Sequence, residues 1–178
     1  MSETKSGVAP SIFDDQRAQF TEGMSKAVSS VVVVATDGPA GRGGLTVSSM
    51  SSVSADGPHP ILLVCVHHLS PVAAAIIKNE VLCVNLLSSD QAKVSNCFAG
   101  RHSEEFADKF SCASWSKIIT GAPALDGAVV NFDCRLIETK EVATHHVFFC
   151  EVVGMRQQDA APTLAYSRRS YCEIVTVK

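Results

Sequence analysis

Two segments in the C-terminal half of the chain constrain its fold most. Apolar and polar residues alternate from Val130 to Leu136 in VVNFDCRLIE, which is typical of a strand with one buried face. HVFFCEVVGM follows after the turn-like TKEVATH, and we expect it to pair with the first segment. A long antiparallel hairpin of this kind needs other strands to cover its apolar face.

Further strands are predicted on both sides of this hairpin. VVVVAT and LTVSS flank the glycine-rich DGPAGRGG, which indicates a second hairpin. ILLVCV and VLCVNLL are short apolar runs typical of buried strands, and LAYSRRSYCEIVTV supplies one more strand. Many strands joined by hairpins rather than by regular crossover helices favour a mainly β fold, a closed or nearly closed antiparallel barrel with peripheral helices.

Three helices are expected around the strands. In the first, apolar residues recur at helical spacing, and Asp14 is its predicted N-cap. The second has Ser70 as N-cap, followed by proline at the first helical position. The third follows Ser88 and Gln91, which have capping-box spacing, and ends at Gly100.

Composition excludes several classes of protein. The 178 residues are 46% hydrophobic, which predicts one domain over 1–178, with 1–13 as a flexible tail. The net charge is −3 and no basic run exceeds the pair Arg168-Arg169, so neither a nucleic-acid nor an anionic-membrane surface is expected. The chain shows no signal peptide or membrane-spanning run, so we expect it in the cytoplasm.

The seven cysteines do not indicate a disulfide framework. Their number is odd, they are scattered, and no CxxC occurs, so most are predicted to be small core residues. The adjacent His67 and His68 have no third ligand at a suitable spacing, and no metal site is expected.

LTVSSMSSVS is the most unusual segment, because hydroxyl side chains crowd a strand-like stretch. It would fit an edge strand with its serines facing water. Its apolar residues lack clean alternation with the hydroxyls, however, so a bulge or turn could instead aim hydroxyls and backbone amides at a polar planar ligand.

The order of these segments resembles the flavin reductase family, the split-barrel reductase components of two-component flavin monooxygenases. The resemblance covers about residues 20–177 and implies an antiparallel FMN-binding split barrel. The segments that carry it are, in order, GLTVSSMSSVS, ILLVCV, VNLL, FAG, GAPALDGAVVNFDCRL, THHVFFCEV and PTLAYSRRSY.

The resemblance also implies a cofactor site. The segment 46–49 would follow the edge of the isoalloxazine ring, the loop after ILLVCV would face the ribityl and phosphate groups, and 98–101 would close over the flavin or its adenylate. Arg168 would meet a dinucleotide pyrophosphate. Taken alone, the loop histidines also fit a surface loop, 98–101 a helix end, and the arginine pair a solvated terminus. The implied cofactor-binding residues are Thr46, Val47, Ser48, Ser49, Cys65, Val66, His67, Ser70, Phe98, Ala99, Gly100, Arg101, Arg168 and Tyr171.

His145 is the implied catalytic residue, at the nicotinamide side of the flavin. Hydride transfer depends on close stacking of the two rings, so its expected role is to orient the dinucleotide. Proton donation to reduced flavin is a secondary possibility. Because His146 is adjacent, the sequence leaves open which of the two faces the flavin.

The implied activity is that of an NAD(P)H-dependent flavin reductase. It would pass a hydride from NADH, or from NADPH, to FMN or FAD and would supply reduced flavin to a partner monooxygenase, acting on aromatic compounds. A homodimer is expected. The alternatives are a flavin-binding sensor or carrier without turnover, and a related split-barrel oxidase.

Overall fold

The computed structural model describes residues 12–101, 108–158 and 162–175. Its helices are α1 (Ile12–Ser25), α2 (Pro71–Asn79) and α3 (Ala92–Phe98), and short 3-10 helices span Ser89–Gln91 and Lys109–Cys112. The strands are β1 (Ser29–Ser30), β2 (Val32–Thr36), β3 (Gly43–Val47), β4 (Ser51–Ser54), β5 (Ile61–His67), β6 (Val81–Leu86), β7 (Trp115–Ser116), β8 (Ala124–Leu125), β9 (Val130–Val142), β10 (His145–Gln157), β11 (Leu164–Ser167) and β12 (Ser170–Glu173).

Seven strands form one antiparallel sheet in the order β3-β2-β6-β9-β10-β5-β4. The two edge strands, β3 and β4, are consecutive in the chain, so the sheet curls until its edges approach each other. Ser49 lies between them, and its hydroxyl donates to Cys65 O at 2.9 Å and accepts from Cys65 N at 3.0 Å. The predicted mainly β, antiparallel split barrel with peripheral helices is confirmed.

The hydrophobic core has two main parts, one on each face of β2. Inside the barrel, Val32 and Val34 pack with Val64, Val84 and Phe148. On the outer face, other residues of the same run pack beneath α3 and the 3-10 helix at 109–112. Because both faces are covered, all five residues of β2 are buried, which explains its unbroken apolar run.

The predicted helix signals of the second and third helices are confirmed. Ser70 is the N-cap of α2, with Pro71 at its first position. Ser88 and Gln91 form the capping box, which opens the short 3-10 helix before α3, and Gly100 follows α3 with φ of 75°. The prediction for Asp14 was wrong: it lies within the first turn of α1, because the helix already includes Ile12.

Two predicted turns differ from the structure. The β9–β10 turn contains only Ala143 and Thr144, so β9 runs on through most of TKEVATH. The C-terminal segment forms two strands rather than one, since Arg168 and Arg169 make a tight turn between β11 and β12. Ala143, Arg168 and Arg169 have φ of 52°, 51° and 62°, values that tight hairpins require and that glycine or asparagine usually supplies.

α1 leaves much of its apolar surface uncovered by the described part of the chain. Phe13 is 80% exposed, Phe20 69% and Met24 55%. The helix is tethered by the ion pair of Glu22 with Arg169, at 2.9 Å. No helix in the described ranges combines the length and apolar character needed to cross a membrane.

Candidate functional site

The segment Thr46–Ser48, at the end of β3, is the common wall of two cavities. The first, called here the α3 cavity, has a volume of about 190 Å³ and is lined by Val31, Thr46, Val47, Ser48, Ser95, Ala99, Arg101, Tyr166 and Tyr171. The second, the histidine cavity, has a volume of about 330 Å³ and is lined by Leu45, Thr46, Val47, Ser48, Ser49, Cys65, Val66, His67 and His145.

The hydroxyl groups of this wall and of the adjoining Ser49 have different roles. Thr46 Oγ1 donates to Ser95 O at 2.8 Å and ties β3 to α3, while Ser49 ties the same segment to β5. Ser48 is exposed, and its hydroxyl makes no hydrogen bond to another residue in the described ranges. Of the three, the Ser48 hydroxyl is the one free to meet a ligand.

The position of α3 depends on close packing against β3. A Cβ at Gly44 would lie 2.7 Å from Phe98 Cε1, so this ring needs a glycine opposite it. The ring is buried and lies 5.0 Å from Phe110 and 5.3 Å from Trp115, measured between centroids. The structure therefore places Phe98 in the core and outside both cavities.

Tyr171 anchors the other side of the α3 cavity. Its hydroxyl lies 2.9 Å from Ser95 Oγ and 2.8 Å from Asn96 Oδ1, within hydrogen-bond distance of both. Tyr166 is its direct cross-strand partner, and the two rings meet edge to face at 5.5 Å. The hairpin β11–β12 thus adds two aromatic rings to the cavity that holds Arg101.

The two strands that carry the histidines are paired. His67 ends β5, His145 begins β10, and the two residues are direct cross-strand partners with ring centroids 5.1 Å apart. His146 points to the opposite face, where its ring stacks on Phe148 at 5.8 Å. The structure therefore places His145, and not His146, at the cavity.

Comparisons with known proteins agree with the resemblance seen in the sequence. The family model described as flavin reductase like domain matches residues 24–175. The chain belongs to the flavin reductase family. It is 44% identical over 173 residues to FMN reductase (NADH) RutF of Ancylobacter novellus, covering 96% of this chain and 92% of that one. It is 40% identical to the protein of the same name in Serratia proteamaculans, with 88% and 87% covered.

Solved structures of similar proteins share the fold. A candidate flavin reductase from Haemophilus somnus 129PT has a TM-score of 0.82 at 39% identity, covering 88% of this chain and 98% of that chain. A homologue of nitrilotriacetate monooxygenase component B from Mycobacterium thermoresistibile has a TM-score of 0.81 at 27% identity, covering 90% and 87%.

The structure brings together most of the residues implied by the family resemblance. Thr46 to Ser49, Cys65, Val66, His67, Ala99, Arg101, Tyr171 and His145 all line one or both cavities. Ser70, Phe98, Gly100 and Arg168 are not among the lining residues, because Ser70 caps α2, Gly100 ends α3 and Arg168 lies in an exposed turn. For all of these residues, lining or not, contact with a flavin stays a prediction.

Four residues of the α3 and histidine cavities were missed from the sequence. Tyr166 could have been found from its pairing with Tyr171 across a tight hairpin, had the turn been recognised. Ser95 gives no such signal, because its position in a helix does not show that it faces β3. Leu45 and Val31 are apolar residues in strands and look like any core residue.

The cysteines are mostly structural, as predicted. Burial raises the pKa of the Cys83, Cys134 and Cys150 thiols, to about 12 for Cys150, and burial with a hydrogen bond to Cys97 raises that of Cys112 to about 12. These thiols are therefore protonated at neutral pH and are poor nucleophiles. Within the described ranges, no three His, Cys, Asp or Glu side chains are grouped so that they could hold a metal.

Proposed function

We propose that this protein is an NADH-dependent flavin reductase that transfers a hydride from NADH to FMN. The observation that carries the proposal is the wall Thr46–Ser48, which is shared by a cavity with Arg101 and Tyr171 and a cavity with two histidines. One elongated ligand can follow the wall and contact both sides. The names of the curated relatives support FMN and NADH as the pair of substrates, with FAD and NADPH as the alternatives to test.

The side chains of the site fit a flavin. The free Ser48 hydroxyl and the amides at the end of β3 can meet the polar edge of a planar ring, and Arg101 supplies positive charge for an anionic group. When bound, flavin supplies the acceptor atom for the hydride. His145 lines the histidine cavity together with this wall, where it can orient the nicotinamide end of NADH.

The hydride step itself requires no acid or base. The work of the protein is to hold two rings in contact, and this is a positioning effect. The His145 ring packs edge to face against that of His67, and its Nδ1 lies 3.0 Å from Thr144 Oγ1. Both contacts restrain the ring.

We further propose that reduced flavin leaves the site and serves a monooxygenase. A wall at the barrel edge, open on both sides, suits a flavin that exchanges with solvent. The likeness to a homologue of a monooxygenase component supports this partner class. Aromatic compounds as the substrate of that monooxygenase, and a cytoplasmic location, remain predictions from the sequence.

A homodimer is part of the proposal. The uncovered apolar residues of α1, Phe13, Phe20 and Met24, are a surface that a second copy could bury. Light scattering coupled to size-exclusion chromatography should give twice the chain mass. Phe20→Glu should shift the molecule toward the monomer, whereas Thr21→Glu, on the same exposed helix, should not.

The activity is tested by following NADH absorbance with FMN, with FAD and with neither. Rapid flavin-dependent NADH loss is the expected result. Flavin binding without NADH loss would favour a sensor or carrier, and oxygen consumption without NADH would favour a split-barrel oxidase. Repeating the assay with NADPH shows which dinucleotide is used.

A further inference from the structure

His67 has one ring nitrogen fixed by the protein itself. The Leu69 backbone N–H donates to His67 Nδ1 at 3.2 Å, across the loop that joins β5 to α2. Two backbone hydrogen bonds hold the same loop, from Ser70 N to His67 O at 2.9 Å and from His68 N to Thr144 O at 3.0 Å. His67 Nδ1 is therefore held in place by a loop with several backbone hydrogen bonds.

This contact determines the tautomer of the His67 imidazole. A backbone N–H can donate only to an unprotonated nitrogen, so Nδ1 carries the lone pair. A neutral imidazole then carries its proton on Nε2, the nitrogen on the far side of the ring. His67 is thus a hydrogen-bond donor at Nε2, and the turn disfavours the other tautomer.

The His67 side chain is exposed, and no residue in the described ranges accepts a hydrogen bond from its Nε2. The His67 ring lies between those of His68 and His145, with both centroids 5.1 Å away. The nearby Glu141 carboxylate lies against His68, with 3.6 Å between Oε1 and Nδ1. Among the described residues that line the histidine cavity, none has a carboxylate or carboxamide side chain.

We propose that His67 is a fixed hydrogen-bond donor for a carbonyl oxygen of the bound heteroaromatic ligand. Two sources share this chemistry, namely a ring carbonyl of the flavin and the carboxamide of NADH. The role differs from that of His145, because it depends on a defined tautomer. The choice of ligand rests on the proposed function, whereas the tautomer does not.

Two substitutions separate the two nitrogens of the ring. In His67→Asn the side-chain oxygen can replace Nδ1 as acceptor for Leu69 N–H, but no donor reaches the position of Nε2. In His67→Gln the terminal amide can donate near the position of Nε2, while the turn loses its acceptor. A donor role predicts that Asn weakens ligand binding roughly fivefold to tenfold and that Gln stays within about twofold of the unaltered protein.

Two measurements distinguish the source of the carbonyl. Flavin affinity is titrated without NADH, and the KM for NADH is measured at saturating flavin. A flavin carbonyl predicts that His67→Asn raises the flavin Kd alone, and a nicotinamide carboxamide predicts that it raises the NADH KM alone. Equal losses in both variants, or binding retained by Asn and lost by Gln, would show a structural role and overturn the proposal.

The tautomer is tested on the unaltered protein. Nitrogen-15 NMR of histidine-labelled protein should show the His67 proton on Nε2 in the ligand-free state. A proton on Nδ1 would overturn the proposal whatever the variants do. This result does not depend on NADH oxidation, so failure of the tautomer and failure of the proposed function are seen separately.

Discussion

Two polar regions of this barrel lie against apolar surroundings and are organised differently. One is a buried network between β6, β9 and the 116–126 segment. The other is the hydroxyl wall, the Thr46–Ser48 wall of the two cavities extended here to include Ser49. In the network, Asn85 Oδ1 accepts from Leu125 N and from Asn131 Nδ2, each at 2.8 Å. Asp133 accepts from the backbone N–H groups of Ile119 and Thr120 at 2.7 and 2.8 Å, and from the Thr120 hydroxyl.

The hydroxyl wall is only partly satisfied by the protein. The Thr46 and Ser49 hydroxyls are hydrogen-bonded to backbone groups of α3 and β5, whereas Ser48 is exposed. Polar residues in a strand are therefore not by themselves a sign of a site. Those with several internal partners hold segments together, and those without are available to a ligand.

The largest effect is expected from breaking the network at Asp133. Asp133→Ala removes the acceptor of two backbone N–H groups and frees the 117–123 segment from β9. Because the variant loses three hydrogen bonds to a buried carboxylate and leaves two part-buried N–H donors unpaired, we expect a loss of about 3 kcal/mol in the free energy of unfolding, measured with denaturant. Glu138→Ala, at an exposed position of the same strand, is the control and should change stability by less than about 0.5 kcal/mol.

The sequence predicted those features that repeat or that have a local signal. Strand alternation gave β9 and β10, and cap residues gave α2 and the start of the third helical segment. The tight bounds of the turn at Ala143, and the turn at Arg168, were not predicted, because neither residue type normally signals a positive φ. Likewise, nothing local shows that Asp133 will meet Thr120, since that contact depends on how a loop crosses the sheet.

For the site, the resemblance predicted most of the residues that line the two cavities, but not which of them hold protein segments together and which are free for a ligand. The segment 46–49 was expected to contact ligand as a unit, whereas Thr46 and Ser49 have partners in the protein. Which histidine faces the cavity also needed the register of β10 against β5, and this is set by pairing far along the chain.

The next largest effect is expected at His145, which lines the histidine cavity. His145→Ala should lower kcat/KM for NADH by roughly 10-fold to 100-fold, about 1.4–2.7 kcal/mol, because orientation of the nicotinamide is lost. The flavin Kd should stay nearly constant. His146→Ala is the matched control, since its ring packs on Phe148 and should affect stability rather than NADH kinetics. The reverse pattern would mean that His146 reaches the nicotinamide.

A smaller effect separates two neighbouring serines. Ser48→Ala should weaken flavin binding by about 1 kcal/mol and leave stability unchanged, because its hydroxyl has no internal role. Ser49→Ala should instead lower stability by about 1 kcal/mol, since Cys65 N and O lose the hydroxyl that ties the end of β3 to β5. Isothermal titration and thermal unfolding measure the two effects. If both variants lose only flavin affinity, the wall acts as one unit.

The smallest effect is expected at Cys150, a buried thiol that stays neutral in the folded protein. Burial raises the pKa of Cys150 to about 12, above the unfolded thiol's value of about 8.5–9. Its contribution to stability is therefore complete below the unfolded pKa and is lost as pH rises toward about 12, because only the unfolded state ionises in that window. From about pH 8.5 to 10, the free energy of unfolding should therefore fall by about 1 kcal/mol less in Cys150→Val than in the unaltered protein. Val152→Ala, a buried neighbour without a titrating group, should lower stability at every pH but keep the original slope. An unchanged slope in Cys150→Val would mean that this thiol ionises as readily in the barrel as in the unfolded chain.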